Sequence, residues 1–307
     1  MTEAAARPAD GASPERAVFD VPRGQAVVDR LVALLDLERI EENIFRGVSP
    51  ADRPVRVFGG QVAGQALVAA GRTVAKDRGV HSLHAYFIRS GDPSIPIVYE
   101  VDRIRDGRSF TTRRVVAVQR GKAIFSLSAS FQVRESGIDH QEQMPEVPRP
   151  DELLTWPEHM ASAAEVLGDI ARLPRPIDVR YVSEPPWLSR EHGPREASNQ
   201  VWMRADGTLP DDPLLHVCVL AYASDMTLLD SILARHGVYW RTDKVLGASL
   251  DHAMWFHRSF RADEWFLYDC VSPSASGARG LAHGRFFSAD GRLLATVVQE
   301  GLLRIIR

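Results

Sequence analysis

Three polar residues in the last third of the chain stand where apolar ones are expected. Asp225 interrupts the run Tyr222-Ala223-Ser224-Asp225-Met226-Thr227-Leu228-Leu229. Gln299 falls on the same face of a strand as Leu293, Ala295 and Val297, because strand side chains alternate with a period of two. Ser249 opens the strand-like run that continues into Asp251-His252. A carboxylate, an amide and a hydroxyl on elements that pack together can activate a water. The carboxylate takes its proton as general base, while the amide and hydroxyl fix the water and orient the carboxylate. Direct nucleophilic attack by Asp225 is the other route open to the same residues. Each residue also has an ordinary reading: Asp225 as the N-cap of a second helical piece, Gln299 as an amide tied to the backbone, and Ser249 as a serine at a strand start. The catalytic reading rests on the three together. A buried amide left unmet costs roughly 1–3 kcal/mol, so something polar belongs opposite Gln299.

The histidines read differently. His81 and His84 are three apart on a predicted strand, and His252 and His257 are five apart. Both spacings point the two rings to opposite faces, so neither pair chelates a metal. They are expected to pack or to hydrogen-bond, and no metal or other cofactor is expected.

The elements that must position these residues follow from hydropathy. Val27, Leu31, Leu34 and Leu35 have helical spacing over 25–37, and a short strand is expected at 44–47. The stretch Phe58 to Gly71 is small or apolar nearly all the way round, and a helix without a charged face is buried on every side. Strands are expected at 81–90, 96–105, 108–119 and 122–133. Their connections, such as Asp106-Gly107 and Arg120-Gly121-Lys122, suit antiparallel hairpins. A proline-rich stretch with a short helix around 158–172 interrupts this order. The pattern then restarts with strands at 177–184 and 199–206 and an apolar helical stretch from Leu214 to about Leu233, broken near Ser224-Asp225. Strands follow at 249–259, 265–272, 277–288 and 292–305. Buried helices with antiparallel meanders make the fold class α+β.

The order of elements repeats. Gly121-Lys122 recurs as Gly291-Arg292, 170 residues on, and Ser82-Leu83 as Ser249-Leu250, 167 residues on. A repeat this long implies two domains. The expected division is a disordered tail over 1–24, a first domain over 25–135, a connector over 136–176 and a second domain over 177–307 that carries the catalytic residues. On the 170-residue offset Gln299 takes the place of Ala129, so the first copy is expected to be silent.

Composition excludes other classes. The net charge is −3, with no long Lys/Arg run to bind nucleic acid. No segment is apolar for long enough to span a membrane, and the first residues lack the apolar core of a secretory signal. The two cysteines, Cys218 and Cys270, have no Cys-x-x-Cys spacing and read as buried thiols in a reducing compartment; with no targeting signal, the expected location is cytoplasmic.

Several segments resemble the acyl-CoA thioesterase II family: Val57-Phe58-Gly59-Gly60-Gln61, His81-Ser82-Leu83-His84-Ala85-Tyr86-Phe87, Arg105-Asp106-Gly107-Arg108-Ser109-Phe110, Gln200-Val201-Trp202-Met203-Arg204, Ala221-Tyr222-Ala223-Ser224-Asp225, Leu250-Asp251-His252-Ala253-Met254-Trp255-Phe256-His257 and Val298-Gln299-Glu300-Gly301. They spread over about residues 25–305. The resemblance implies a tandem double hotdog fold and hydrolysis of fatty acyl-CoA to free acid and coenzyme A. It carries the family's aspartate onto Asp225, its Ser/Thr onto Ser249 and its glutamine onto Gln299. Thiolate is a fair leaving group, so an activated water and an oxyanion donor suffice; a backbone N–H at the start of the buried helix can be that donor. Arg108, Arg113, Arg114 and Arg279 are candidates for the coenzyme A phosphates, each with solvated surface charge as its ordinary reading. A homo-oligomer, dimer or tetramer, is expected of this fold. Three other readings are set beside it. A non-catalytic acyl-CoA-binding protein would not need Asp225, Ser249 and Gln299 together. An enoyl-CoA hydratase would need a histidine about five residues after its aspartate, and the next after Asp225 is His236. A serine hydrolase would need a Gly-x-Ser-x-Gly elbow, which is absent.

Overall fold

The computed structural model describes residues 21–50, 55–188, 192–240, 243 and 245–306. Most of the tail expected over 1–24 lies outside the described residues. The chain runs α1 (Gln25–Leu35), β1 (Glu38–Glu41), β2 (Ile44–Gly47), α2 (Gly59–Gly71), β3 (Arg78–Phe87), β4 (Ile97–Asp106), β5 (Phe110–Gln119) and β6 (Lys122–Val133). After the connector helix α3 (Trp156–Leu167) come β7 (Ile177–Tyr181), β8 (Ser198–Ala205), α4 (Pro213–Ser224), α5 (Asp230–His236), β9 (Val245–Ser249), β10 (Asp251–Phe256), β11 (Phe266–Ser276), β12 (Arg279–Ser288) and β13 (Leu293–Ile305).

The strands form one antiparallel sheet in the order β1-β2-β4-β5-β6-β3-β10-β13-β12-β11-β8-β7, with β9 also paired to β13. The two halves meet at β3 and β10, where Leu83 faces Met254 and Ala85 faces His252. Outward from that seam the strand order of one half mirrors that of the other. This is the tandem double hotdog, α+β in class. Two strands were not expected: β1, whose four residues are all exposed, and β9, of which the strand expected at 249–259 takes in only Ser249. Between β9 and β10 the ladder breaks at Leu250, and the side chain of Asp251 accepts the amide of Glu300 at 2.7 Å.

The turns follow local chemistry. Between β5 and β6, Arg120 and Gly121 both have positive φ, 50° and 70°, which suits a two-residue hairpin turn. At the start of α4 the Asp212 side chain accepts the Leu214 amide at 3.0 Å ahead of Pro213, an N-cap followed by proline in the first turn.

The sheet wraps around α2 and α4. Residues Gly60 to Ala70 of α2 are all buried, as are Cys218 to Ser224 of α4. The helices run antiparallel and nearly touch through backbone. A β-carbon at Gly60 would lie 2.3 Å from the carbonyl oxygen of Tyr222, one at Gly64 3.2 Å from that of Cys218, and one at Gly71 2.5 Å from Leu214. Only hydrogen fits at Gly60. The connector lies over the second half: Trp202 Nε1 donates to Pro148 O at 2.9 Å, and Trp202, Leu267, Phe287 and Leu293 form a small second core with Met144, Val147 and Leu153.

Two outcomes follow from this packing. Gly60→Ala forces the helices apart and lowers unfolding free energy by about 1–3 kcal/mol, read from the denaturant midpoint. Gly79→Ala, where nothing lies within 4 Å, leaves that midpoint in place. The second concerns Asp230, buried at the start of α5 and bonded by Trp240 Nε1 at 2.8 Å. Burial pushes its carboxyl up to about 7. The folded state thus holds a proton that the unfolded chain loses at about pH 4, so stability falls as pH rises from about 4 to about 7. Asp230→Asn keeps the acceptor for Trp240 and removes that slope, raising the melting temperature above neutral pH and not at acid pH.

Candidate active site

Asp225 is the residue that closes α4; its backbone sits at φ −87°, ψ 2°. It is therefore a C-cap and not the N-cap of the next helix, which is Leu229. A carboxylate at a helix C-terminus faces the negative end of the dipole and needs compensation from elsewhere. Gln299 Nε2 donates to Asp225 Oδ1 at 2.7 Å and Ser249 Oγ donates to the same oxygen at 3.0 Å. Gln299 is fully buried, so the polar partner expected opposite it is Asp225.

The register explains the convergence. Ser249 ends β9 opposite Gly301 of β13, two residues beyond Gln299, so Ser249 from β9 and Gln299 from β13 face one side of the sheet. The turn that carries Asp225 is itself held: Tyr268 Oη donates to Ser224 O at 2.8 Å, and Asn199 Nδ2 donates to Thr227 O at 3.2 Å. Tyr268 stacks on Phe286 at 3.9 Å, and burial pushes its phenol well above the usual range.

The other carboxylate oxygen faces the first half. A β-carbon at Gly59 would lie 2.6 Å from Asp225 Oδ2 and 2.8 Å from the Phe87 ring. Gly59 begins α2, whose N-cap Phe58 offers no side-chain bond. The first N–H groups of a helix have no partner within it, and its positive end favours negative charge. The start of α2, in the first half, thus lies against a carboxylate that comes from the second. Asp225, Ser249 and Gln299, the three residues expected together, all belong to the second half, and Gly59 and Phe87 of the first half lie beside them.

Pairing also shows why the halves differ. Ala129 on β6 faces Arg113 on β5, whereas Gln299 on β13 faces Ala282 on β12. The large polar residue has changed strands. Val80 faces Phe131 as Ser249 faces Gly301, so the counterpart of Ser249 is Val80 and not Ser82. Arg113 is 1% exposed. Its guanidinium donates to Thr73 Oγ1 and O, Arg105 O, Thr112 O and Asp106 Oδ1. This corrects the expectation of Arg113 at a phosphate: its donors are committed inside the first half, just past the end of α2.

Of the other arginines, Arg108 is exposed in the β4–β5 turn, and Arg114 pairs with Asp102 on the surface. Arg279, half-exposed at the start of β12, pairs with Glu300, the residue after Gln299. Arg108 and Arg114 belong to the first half and Arg279 to the second. Among the described residues no cluster of His, Cys, Asp or Glu is arranged to hold a metal, and no helix is long and apolar enough to cross a membrane.

Residues 170–302 match the family model for acyl-CoA thioesterase, and residues 49–132 match that for the acyl-CoA thioesterase N-terminal domain. The chain is 38% identical to acyl-CoA thioesterase 2 of Haemophilus influenzae, over 91% of this chain and 98% of the relative. It is 43% identical to human acyl-coenzyme A thioesterase 8, over 90% and 89%. The chain belongs to the acyl-CoA thioesterase II family. The crystal structure of the acyl-CoA thioesterase II TesB2 from Mycobacterium marinum is similar to this thioesterase at TM-score 0.74, with 48% identity over 90% of this chain and 98% of that one. A hotdog-fold protein from Alicyclobacillus acidocaldarius, 21% identical at TM-score 0.73, shares the fold.

The burial of Arg113 generates one outcome. Arg113→Met leaves buried acceptors unmet and lowers unfolding free energy by about 1–3 kcal/mol, read from denaturant unfolding, and leaves the KM for acyl-CoA unchanged in the protein that remains folded.

Proposed function

We propose that this thioesterase hydrolyses fatty acyl-CoA with Asp225 as general base. The observation that carries the reading is the convergence of Gln299 Nε2 and Ser249 Oγ on Asp225 Oδ1. Water adds to the thioester carbonyl and gives its proton to Asp225. The carbonyl oxygen becomes an oxyanion, stabilised by backbone N–H groups in the first turn of α2. The tetrahedral intermediate collapses, the C–S bond breaks, and the thiolate of coenzyme A recovers the proton from Asp225. Gln299 and Ser249 hold the carboxylate in place throughout. Arg108, Arg114 and Arg279 are the candidates left for the coenzyme A phosphates.

The same reading assigns the enzyme to the cytoplasm as a homo-oligomer, dimer or tetramer. The two buried free thiols, Cys218 and Cys270, suit a reducing compartment.

Release of coenzyme A from palmitoyl-CoA tests the site. Asp225→Asn lowers kcat by about 10²–10⁴-fold, the range of general-base catalysis, with the melting temperature unchanged. Full activity in that variant overturns the assignment. Binding of acyl-CoA without release by the wild type, across chain lengths, supports the binding-protein reading instead.

A further inference from the structure

His252 occupies an inward position on β10, in alternation with Met254, and is 1% exposed. Its Nε2 lies 2.8 Å from the hydroxyl of Ser224, the residue before Asp225. Its other nitrogen, Nδ1, is buried with no hydrogen-bond partner, and so is the amide oxygen Oε1 of Gln299. Leaving a buried donor or acceptor unmet costs about 1–3 kcal/mol each, and pairing these two atoms meets both. Burial lowers the pKa of His252, while the Asp225 carboxylate and then the neighbouring Gln299 side chain oppose that shift. The ring is thus held neutral with one proton, and the amide selects which nitrogen carries it.

We propose that His252 is a positioning residue whose Nδ1–H donates to Gln299 Oε1 and so turns the amide nitrogen toward Asp225. The inference rests on the site reading above. An amide is nearly symmetric in shape, and flipped it would set its oxygen against the carboxylate. A neutral imidazole with its proton on Nδ1 offers only a donor to the amide, so it accepts the oxygen and leaves Nε2 of Gln299 for Asp225. Ser224 completes the chain. It has one hydroxyl proton and three acceptors in reach, Ala221 O at 2.9 Å, His252 Nε2 at 2.8 Å and the weakly accepting Met254 Sδ at 3.4 Å. With the proton of the ring on Nδ1, that hydroxyl donates to Nε2. Order passes from Ser224 through His252 and Gln299 to the carboxylate without His252 touching substrate.

Two measurements test this. In ¹⁵N-labelled wild-type enzyme near neutral pH, long-range ¹H–¹⁵N spectra give the His252 tautomer; a proton on Nδ1 is expected, and a proton on Nε2 alone overturns the proposal. In the palmitoyl-CoA assay, His252→Leu lowers kcat about tenfold, the worth of one hydrogen bond, with KM unchanged. His252→Asn, which keeps an N–H donor in place of Nδ1, recovers most of that loss. In a Gln299→Ala background His252→Leu costs less than about twofold, because the residue it positions is gone. An equal loss in both backgrounds, or no loss in either, overturns the proposal. If His252→Leu does not fold, the tautomer decides. A Gln299→Ala enzyme with wild-type kcat would mean instead that the site reading fails, and the tautomer still reports whether the His252–Gln299 contact exists.

Discussion

The near-contact of α2 and α4 through bare backbone sets the geometry of this molecule. Glycine at positions 60, 64 and 71 lets the helices lie side by side in opposite directions. Each helix therefore ends where the other begins. Asp225 sits at the C-terminal end of α4, where the helix dipole disfavours a carboxylate, yet the N-terminus of α2 lies against its second oxygen. A side chain larger than hydrogen at Gly60 would separate the two ends and take the charge away from its compensation. Gln299 and Ser249 complete that compensation from the sheet.

The fold is close to symmetric about the seam, and the chemistry is not. In one half a long polar residue projects inward from the strand nearer the seam, as Gln299; in the other it projects from the next strand out, as Arg113. The two side chains serve opposite ends. Gln299 offers one donor to a carboxylate that is left partly open. Arg113 spends its donors on Thr73, Asp106 and three carbonyls and closes the space beneath them. The arrangement in the first half is a buried, hydrogen-bonded arginine opposite Ala129.

Much of this was legible in the sequence where burial imposes a period. The all-round small and apolar character of α2 marked it as enclosed, and period-two alternation placed Gln299 inside before any partner was known. The same alternation placed Arg113 with Val115 and Ala117, and His252 with Met254, so those signals were present; adjacent Arg113 and Arg114 look alike until the strand face is taken into account. Other features were hidden because they depend on distant pairing. The break at Leu250 that separates β9 from β10 comes from Asp251 bonding the backbone of β13, nearly fifty residues away. The approach of Gly59 to Asp225 joins residues from opposite halves, and no local pattern encodes it. The four exposed residues of β1 form a strand only because β2 offers an edge.

The seam between β3 and β10 lies within one polypeptide. Two separate hotdog chains meeting at such a seam would form a composite site only as often as they met, and the fraction assembled would drop on dilution. Here the partner is tethered, so the two halves face each other at a fixed effective concentration. Assembly of Asp225 against α2 is first-order and independent of how much protein is present. The link also separates the fates of the two halves: in a dimer of identical chains a substitution appears in both copies, whereas a single chain can carry arginine in one and glutamine in the other.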